Sequence, residues 1–400
     1  MQPYARFLRV WFAALLVLAL CVAALNFAID PYDVFGSPRV AGVNALKPRA
    51  RDHSMLTKAY QIERFRPATV LLGSSRVHIG VDASGPEWPA AMQPVFNYAI
   101  PGSYNTTLML ATLQQAAATG RLAHAVIFLD FQNFFVPEAP PGPPNEDDRR
   151  LLLDPSGNAN ALRGYQRLDD GFLALMTMGA LSDSVATILS QHAALTLDIQ
   201  PDGASTDADF VSTARGDGTS SLFAQKRVFE ANRTPVLARG LAAWTGPLPN
   251  LGRVVDVIAF CRRRGIALTL AIAPTHAEAL EFYWRAGLWP RIEQFKTELA
   301  ELVARDGAEG VKLWDFSDYS SFTTEPVPPV SDRKAQTTWF WEPSHFKKPL
   351  GHIMIRRITG QAAPEFGALL TPETVAERNR QIRAQRQAYI CLDTANPCKS

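Results

Sequence analysis

The residues best suited to chemistry lie in two short segments far apart in the chain. The first is Gly73-Ser74-Ser75-Arg76, which follows the apolar run Thr69-Val70-Leu71-Leu72. Small residues at the end of a strand let the backbone bend sharply. A serine on such a turn can be presented as a nucleophile, with neighbouring amides facing an oxyanion. An ordinary turn serine is the competing reading of Ser75. The second segment is Trp341-Glu342-Pro343-Ser344-His345-Phe346, whose histidine stands 270 positions after Ser75. Together they supply a nucleophile (Ser75), a base (His345) and a carboxylate that would hold the imidazole tautomer (Glu342). The competing readings are a helix-capping loop histidine and a solvated surface acid.

Positioning these groups requires a scaffold whose loops converge. From Thr69 the pattern alternates between strand and helix. Predicted strands are Val70–Leu72, Val95–Ile100, Ala125–Leu129, Ile266–Ala273 and Val311–Phe316. Helices are expected at 104–119, ended by Gly120, and after Asn250 as an N-cap, ended by Gly265. A further core helix is expected to begin near Leu350. The apolar strands read as strands buried on both faces of a parallel sheet with right-handed crossovers. Ligands of such sheets sit beyond the carboxyl ends of the strands. Ser75, Gly102, the Asp130–Asn133 segment, His276 and the Glu342/His345 loop all fall there. Residues 137–249 break the alternation with a proline-rich start, a helical region near 165–198 and a polar stretch from Asp202 to Ser221. They read as an insertion with its own helices.

These segments resemble the SGNH hydrolase superfamily. Gly73-Ser74-Ser75 is similar to its first block, where Gly-Asp-Ser carries the nucleophile, and Asn97…Pro101-Gly102-Ser103 to its second. Glu342-Pro343-Ser344-His345 is similar to its last block, usually Asp-x-x-His, and Pro349-Leu350-Gly351 has the look of the helix after it. The anchor, Gly-Ser-Ser and long insertion look most like an exported branch that includes alginate O-acetylation and teichoic-acid D-alanylation proteins. The likeness covers about residues 67–135 and 250–360. It implies a three-layer flavodoxin-like α/β fold of about five parallel strands, and oxyanion binding by the amides of Ser75 and Gly102. Two departures stand out. The acid is Glu, one methylene longer than Asp. The third block, normally Gly-x-Asn-Asp, is replaced by Asp130-Phe131-Gln132-Asn133, where Asn133 or Gln132 would donate to the oxyanion.

Other polar residues have two readings each. Arg76 would orient a carboxylate or sugar, or pair with an acid near the turn. His276 would contact substrate or cap a helix. His78 is a weaker alternative base, placed on the next helix. Trp339, Phe340 and Trp341 would stack on a sugar or simply pack. No P-loop, dinucleotide fingerprint or zinc spacing occurs, so neither metal nor cofactor is expected.

Val10 to Ile29 is a run of 20 residues whose only polar side chain is Asn26. As a helix it would span roughly 30 Å, the thickness of a hydrocarbon core. Arg6 and Arg9 precede it, and Asp30 and Asp33 follow. The positive-inside rule then puts the N-terminus in the cytoplasm and the rest outside. A cleaved signal peptide is the rival, but its apolar region is usually shorter. Cys391 and Cys398 bracket a short C-terminal loop that a disulfide would close outside the cytoplasm. The net charge of +2 gives no case for nucleic acid.

The expected organisation is an anchor at 1–30, a connector at 31–66, an α/β domain at 67–360 containing insertion 137–249, and a helical extension at 361–400. The expected protein is a single-pass enzyme of the cytoplasmic membrane with its domain in the periplasm or outside. It would transfer an acyl group through an acyl-serine to, or remove one from, a cell-surface or exported polysaccharide. The bilayer, the glycan and a membrane acyl-donor protein are its expected partners. The alternative is a non-catalytic glycan-binding or assembly component on the same fold. A peptidase is the least supported reading.

Overall fold

The computed structural model describes residues 2–102, 105–138, 143–242, 244–307 and 310–393. Ser103, the first residue of the expected helix 104–119 and Cys398 lie outside the described residues. The chain opens with α1 (Gln2–Ile29), passes a connector to α2 (Ser54–Phe65) and enters the sheet at β1 (Thr69–Leu72). Next come α3 (Ser75–Gly80), β2 (Val95–Asn97), α4 (Thr106–Ala118) and β3 (His124–Leu129). The insertion holds α5 (Glu146–Arg150), α6 (Arg163–Met176), α7 (Met178–Leu189), α8 (Ala208–Gly216) and α9 (Thr219–Ala242). Alternation resumes with α10 (Leu251–Arg264), β4 (Ala267–Ile272), α11 (Ala277–Arg285), α12 (Trp289–Asp306) and β5 (Val311–Asp315). A small hairpin follows, β6 (Phe340–Glu342) and β7 (His345–Phe346). The described chain closes with α13 (Lys348–Ile358), β8 (Ala368–Leu369) and α14 (Val375–Asp393).

The main sheet runs β2-β1-β3-β4-β5-β8, parallel except for the last pairing. Successive strand side chains point to opposite faces. Val70 and Leu72 enter one apolar cluster and Leu71 enters another across the sheet; Ile127 and Val126 divide the same way. Both faces are therefore covered, which explains the unbroken apolar runs.

β2 is shorter than the expected Val95–Ile100, and its outer edge is occupied where it ends. The Asn97 N–H donates to the Asp202 carbonyl of the insertion at 2.8 Å. The chain beyond still bonds β1 and its turn: Tyr98 N–H donates to Leu71 O at 2.9 Å, and Ile100 N–H to Gly73 O at 3.0 Å. Asn250 does not cap α10 through its side chain. Its φ is +66°, and its amide instead donates to the carbonyls of Asn133 and Val136, tying the chain after β3 to the start of α10.

The connector is less polar in its surroundings than in its composition. Ile62 of α2 joins the main core, and Lys58 is fully buried. Lys47, also buried, donates to the Ile29 and Asp30 carbonyls at 2.9 and 2.8 Å, a cation at the C-terminus of α1. At the other end, α14 lies over β5 through Arg378, which reaches Asp318 at 2.8 Å and Asp315 at 3.3 Å. Asp315 also receives the buried Lys296 ammonium at 2.7 Å.

Candidate active site

Ser75 is the first residue of α3, immediately beyond β1. Gly73 makes that turn possible: a Cβ there would stand 2.5 Å from Cγ2 of Val77, a side chain stiff at χ1. Ser74 is the N-cap of α3, its hydroxyl accepting from the Arg76 N–H at 3.4 Å. Asn97 braces the same helix from below, donating to the carbonyls of Val77 and Val81 at 3.0 and 3.1 Å.

Glu342 and His345 are direct partners across the β6–β7 hairpin, with Pro343 and Ser344 as the turn. Residues opposite each other in an antiparallel pair project from one face, so acid and histidine meet. The structure brings the three residues together. Ser75 Oγ lies 2.7 Å from His345 Nε2. His345 Nδ1 bonds Glu342 Oε1, and the Ser344 N–H donates to Glu342 Oε2 at 3.0 Å. Burial alone would raise the Glu342 carboxyl. His345, the nearby Lys226 and the Ser344 amide outweigh it and hold the group below the usual range. An ionised Glu342 accepting from Nδ1–H leaves Nε2 bare to accept the Ser75 proton.

The hairpin is held against the serine by close packing. A Cβ on Gly351 of α13 would overlap the Gly80 carbonyl of α3, and one on Gly80 would overlap the Phe346 ring of β7. Three elements thus touch where two glycines allow it.

The other expected site residues fall differently. Arg76 is buried and faces protein: Nη1 donates to Thr275 Oγ1 at 3.0 Å and pairs with Asp130 Oδ1 at 3.3 Å. The pairing reading of Arg76 is the one its geometry follows. His276 is 2% exposed. Its Nδ1 accepts from the Glu278 N–H at 3.3 Å at the start of α11, and its Nε2 lies 3.0 Å from the Glu325 carbonyl. Burial, only partly offset by that carbonyl, holds its pKa below the ordinary value, so the ring is neutral. It caps a helix and, through its backbone N–H to Pro343 O at 2.9 Å, anchors the triad turn; the helix-capping reading is the one its geometry follows. His78 faces away from Ser75: Nδ1 lies 2.9 Å from the buried Lys58 ammonium, which also donates to Asn97 O and Ala99 O. Burial drives both groups toward their neutral forms.

Gly102 has φ +81°, and nothing stands within 4 Å of where its Cβ would be. The glycine serves backbone conformation, and its open side is exposed. Asn133 sits on the turn after β3, its N–H donating to Asp130 O at 2.9 Å and its carbonyl accepting from Asn250. Gln132 is committed elsewhere: its amide donates to the Tyr283 hydroxyl and accepts from Arg233. Phe340 and Trp341 are buried as packing.

One neighbour was not legible in the sequence. Phe210, on α8 of the insertion, lies 5.2 Å from the His345 ring and stacks on Trp341 at 5.9 Å. It is a lone aromatic in the polar Asp202–Ser221 stretch, which is the only hint its context gave. A cavity of about 840 Å³, lined by none of Ser75, Glu342 and His345, opens between Ile100, Pro101 and Asn105 and the insertion residues Arg150, Leu173 and Ala174. Among the described residues no three His, Cys, Asp or Glu side chains gather as a metal would require.

No family model matches the chain, and neither a curated protein nor a solved structure matches it.

Proposed function

We propose that this chain is a membrane-anchored, extracytoplasmic serine acyl-transfer enzyme of the SGNH kind. Its acceptor is a hydroxyl of a cell-surface or exported polysaccharide, or water. The observation that carries the reading is the continuous hydrogen-bond chain Ser75–His345–Glu342, built from elements that meet only in the folded protein. Support also comes from the strand order β2-β1-β3-β4-β5, which suits a flavodoxin-like three-layer fold with its site beyond the strand ends. The helix Tyr4–Ile29 is long and apolar enough to cross a bilayer. Arg6 and Arg9 at its start and aspartates after it favour an outside position for the domain.

In the proposed reaction, His345 Nε2 takes the Ser75 hydroxyl proton as Oγ attacks the acyl carbonyl. Glu342 stabilises the imidazolium that forms. The oxyanion is received by the amides of Ser75 and Gly102, with Asn133 as the side-chain donor. His345 then gives its proton to the leaving group, and the acyl group rests on Ser75. An acceptor hydroxyl, deprotonated in turn by His345, takes the acyl group and restores the serine. A membrane protein that brings the acyl group outward fits this scheme as donor.

The test is the intact mass of the full-length protein in detergent after exposure to a fluorophosphonate. A stable adduct mapped to Ser75, absent in Ser75→Ala and slow in His345→Ala, is expected. No adduct on folded protein would overturn the free-standing enzyme.

A second reading has one observation in its favour. Gln132, one of two candidates for the third-block donor, is engaged by Tyr283 and Arg233. A glycan-binding or assembly component would tolerate that loss. A folded Ser75→Ala protein that still restored the cellular function would favour it.

A further inference from the structure

Helices α6 and α7 of the insertion are built inside out. On α6 the side chains of Gln166 and Asp170 are buried, while Leu168, Phe172 and Met176 are exposed. On α7 Ser184 and Thr187 are buried, while Met178, Val185 and Leu189 are exposed. Leu168 is 77% exposed, and Met178 and Leu189 are each 76% exposed. A helix against water normally shows the reverse arrangement. The outward residues are four apart on α6, and seven and four apart on α7; both spacings return to one face of a helix, so each presents one apolar stripe.

Gln166, Asp170 and Ser184 are partnered inward, so the stripes are not a misplaced core; the Thr187 hydroxyl is buried without a hydrogen-bond partner among the described residues. Asp170 receives Arg150 at 2.7 Å and the Tyr60 hydroxyl at 2.8 Å. Ser184 donates to Asn26 of α1 at 2.8 Å, and Asn26 donates to the Leu175 carbonyl of α6 at 2.9 Å. The pair is thus bolted to α1 by Asn26, the one polar side chain of the Val10–Ile29 run. Asn26 stands three residues before the end of α1, about 5 Å by helical rise. The two helices bend by 61° across Thr177 and together are apolar enough to resemble a broken span. Beside them α1 keeps Leu20 and Phe27 exposed, so the apolar surface continues from anchor to insertion.

We propose that the α6–α7 pair is a second membrane-contacting element, whose apolar stripes lie in the acyl–headgroup boundary beside the outer end of α1. Its occupant is lipid. The surface is continuous with α1, and an apolar helix face of this kind settles roughly 5–10 Å into that boundary. Three helices then hold the domain on the bilayer. The wall of the 840 Å³ cavity that includes Leu173 and Ala174 is brought close to the membrane.

The experiment uses the full-length chain reconstituted in vesicles of phosphatidylethanolamine and phosphatidylglycerol. A nitroxide-bearing residue replaces Leu168, Val185 or Leu189, with Phe27 as the lipid reference and exposed Lys334 as the water reference. Power saturation compares collisions with oxygen against a water-soluble nickel chelate. The expected result is oxygen-rich, nickel-poor labels at all three positions, as at Phe27. Nickel-rich labels like that at Lys334 would place the pair in water and overturn the proposal. Labels shielded from both reagents would show a protein covering the stripes, and would overturn it equally. Neither result bears on the reactivity of Ser75.

Discussion

The functional reading turns on three side chains and on the charge state of one. Glu342 is buried yet held below its ordinary value of 4.5 by His345, Lys226 and the Ser344 amide. A carboxyl whose folded pKa is depressed stabilises the fold above its unfolded pKa, and that contribution is lost as pH falls through the lower folded value. Thermal melts of Glu342→Gln and the parent should therefore differ most near neutral pH and converge as pH falls below the ordinary carboxylate range. A gap that widened on acidification would contradict the direction of the shift. In labelling kinetics, Glu342→Gln should slow acylation of Ser75 by up to about 10⁴-fold, because the amide can donate to His345 and select the wrong tautomer. His276 offers the contrast. His276→Ala removes a cap and a buried ring, and should lower stability by roughly 2–4 kcal/mol while Ser75 keeps its reactivity at permissive temperature. If labelling fell with stability unchanged, His276 would be acting on substrate after all.

At the level of elements, the site depends on how closely α3, β7 and α13 approach. Gly80 and Gly351 are the contact, and backbone stands on the far side of it. A side chain at Gly351 meets a carbonyl oxygen that cannot swing away. Gly351→Ala should cost at least about 1–3 kcal/mol, the usual range for overpacking, and should part His345 from Ser75. Denaturant midpoints give the first quantity and fluorophosphonate labelling the second. The β6–β7 hairpin explains the three-residue spacing of acid and base. A two-residue turn makes positions i and i+3 cross-strand neighbours, so Glu342 and His345 share a face without any helix. The extra methylene of Glu342 is accommodated there, since its two oxygens serve both Nδ1 and the Ser344 amide.

For the molecule as a whole, the insertion does two separate jobs. Its later part, α8 and α9, covers the triad hairpin, with Phe210 over His345. Its earlier part, α6 and α7, binds α1 through Asn26. Asn26→Leu would strand the Ser184 hydroxyl and the Leu175 carbonyl, a loss of about 1–3 kcal/mol. Hydrogen exchange should then rise across residues 163–189 and stay unchanged in β1, β3 and β4. A uniform rise over the whole chain would mean that anchor and core unfold together. Removal of the Phe210 ring by Phe210→Ala should change access to Ser75 more than stability, read as altered labelling by bulky against small fluorophosphonates.

Much of this was legible in the linear chain because it depends on local chemistry. Apolar runs buried on both faces marked the five parallel strands, Gly120 and Gly265 marked helix ends, and the 20-residue stretch marked the apolar helix. Ser75, Glu342 and His345 stood out in the sequence by residue type, by chain order and by likeness to superfamily blocks; the hairpin that brings Glu342 opposite His345 was not legible there. The sequence could not assign the remaining polar residues. Arg76 and His276 have the chemistry of ligand-binding groups, and only burial and partners distant in the chain make them supports. Nor could it read the insertion, where Phe210 gains its position from long-range packing and the outward stripes of α6 and α7 carry no sign of their direction. Periodicity shows that a helix has two faces; which face meets the protein is decided by the partners that tertiary structure brings to it.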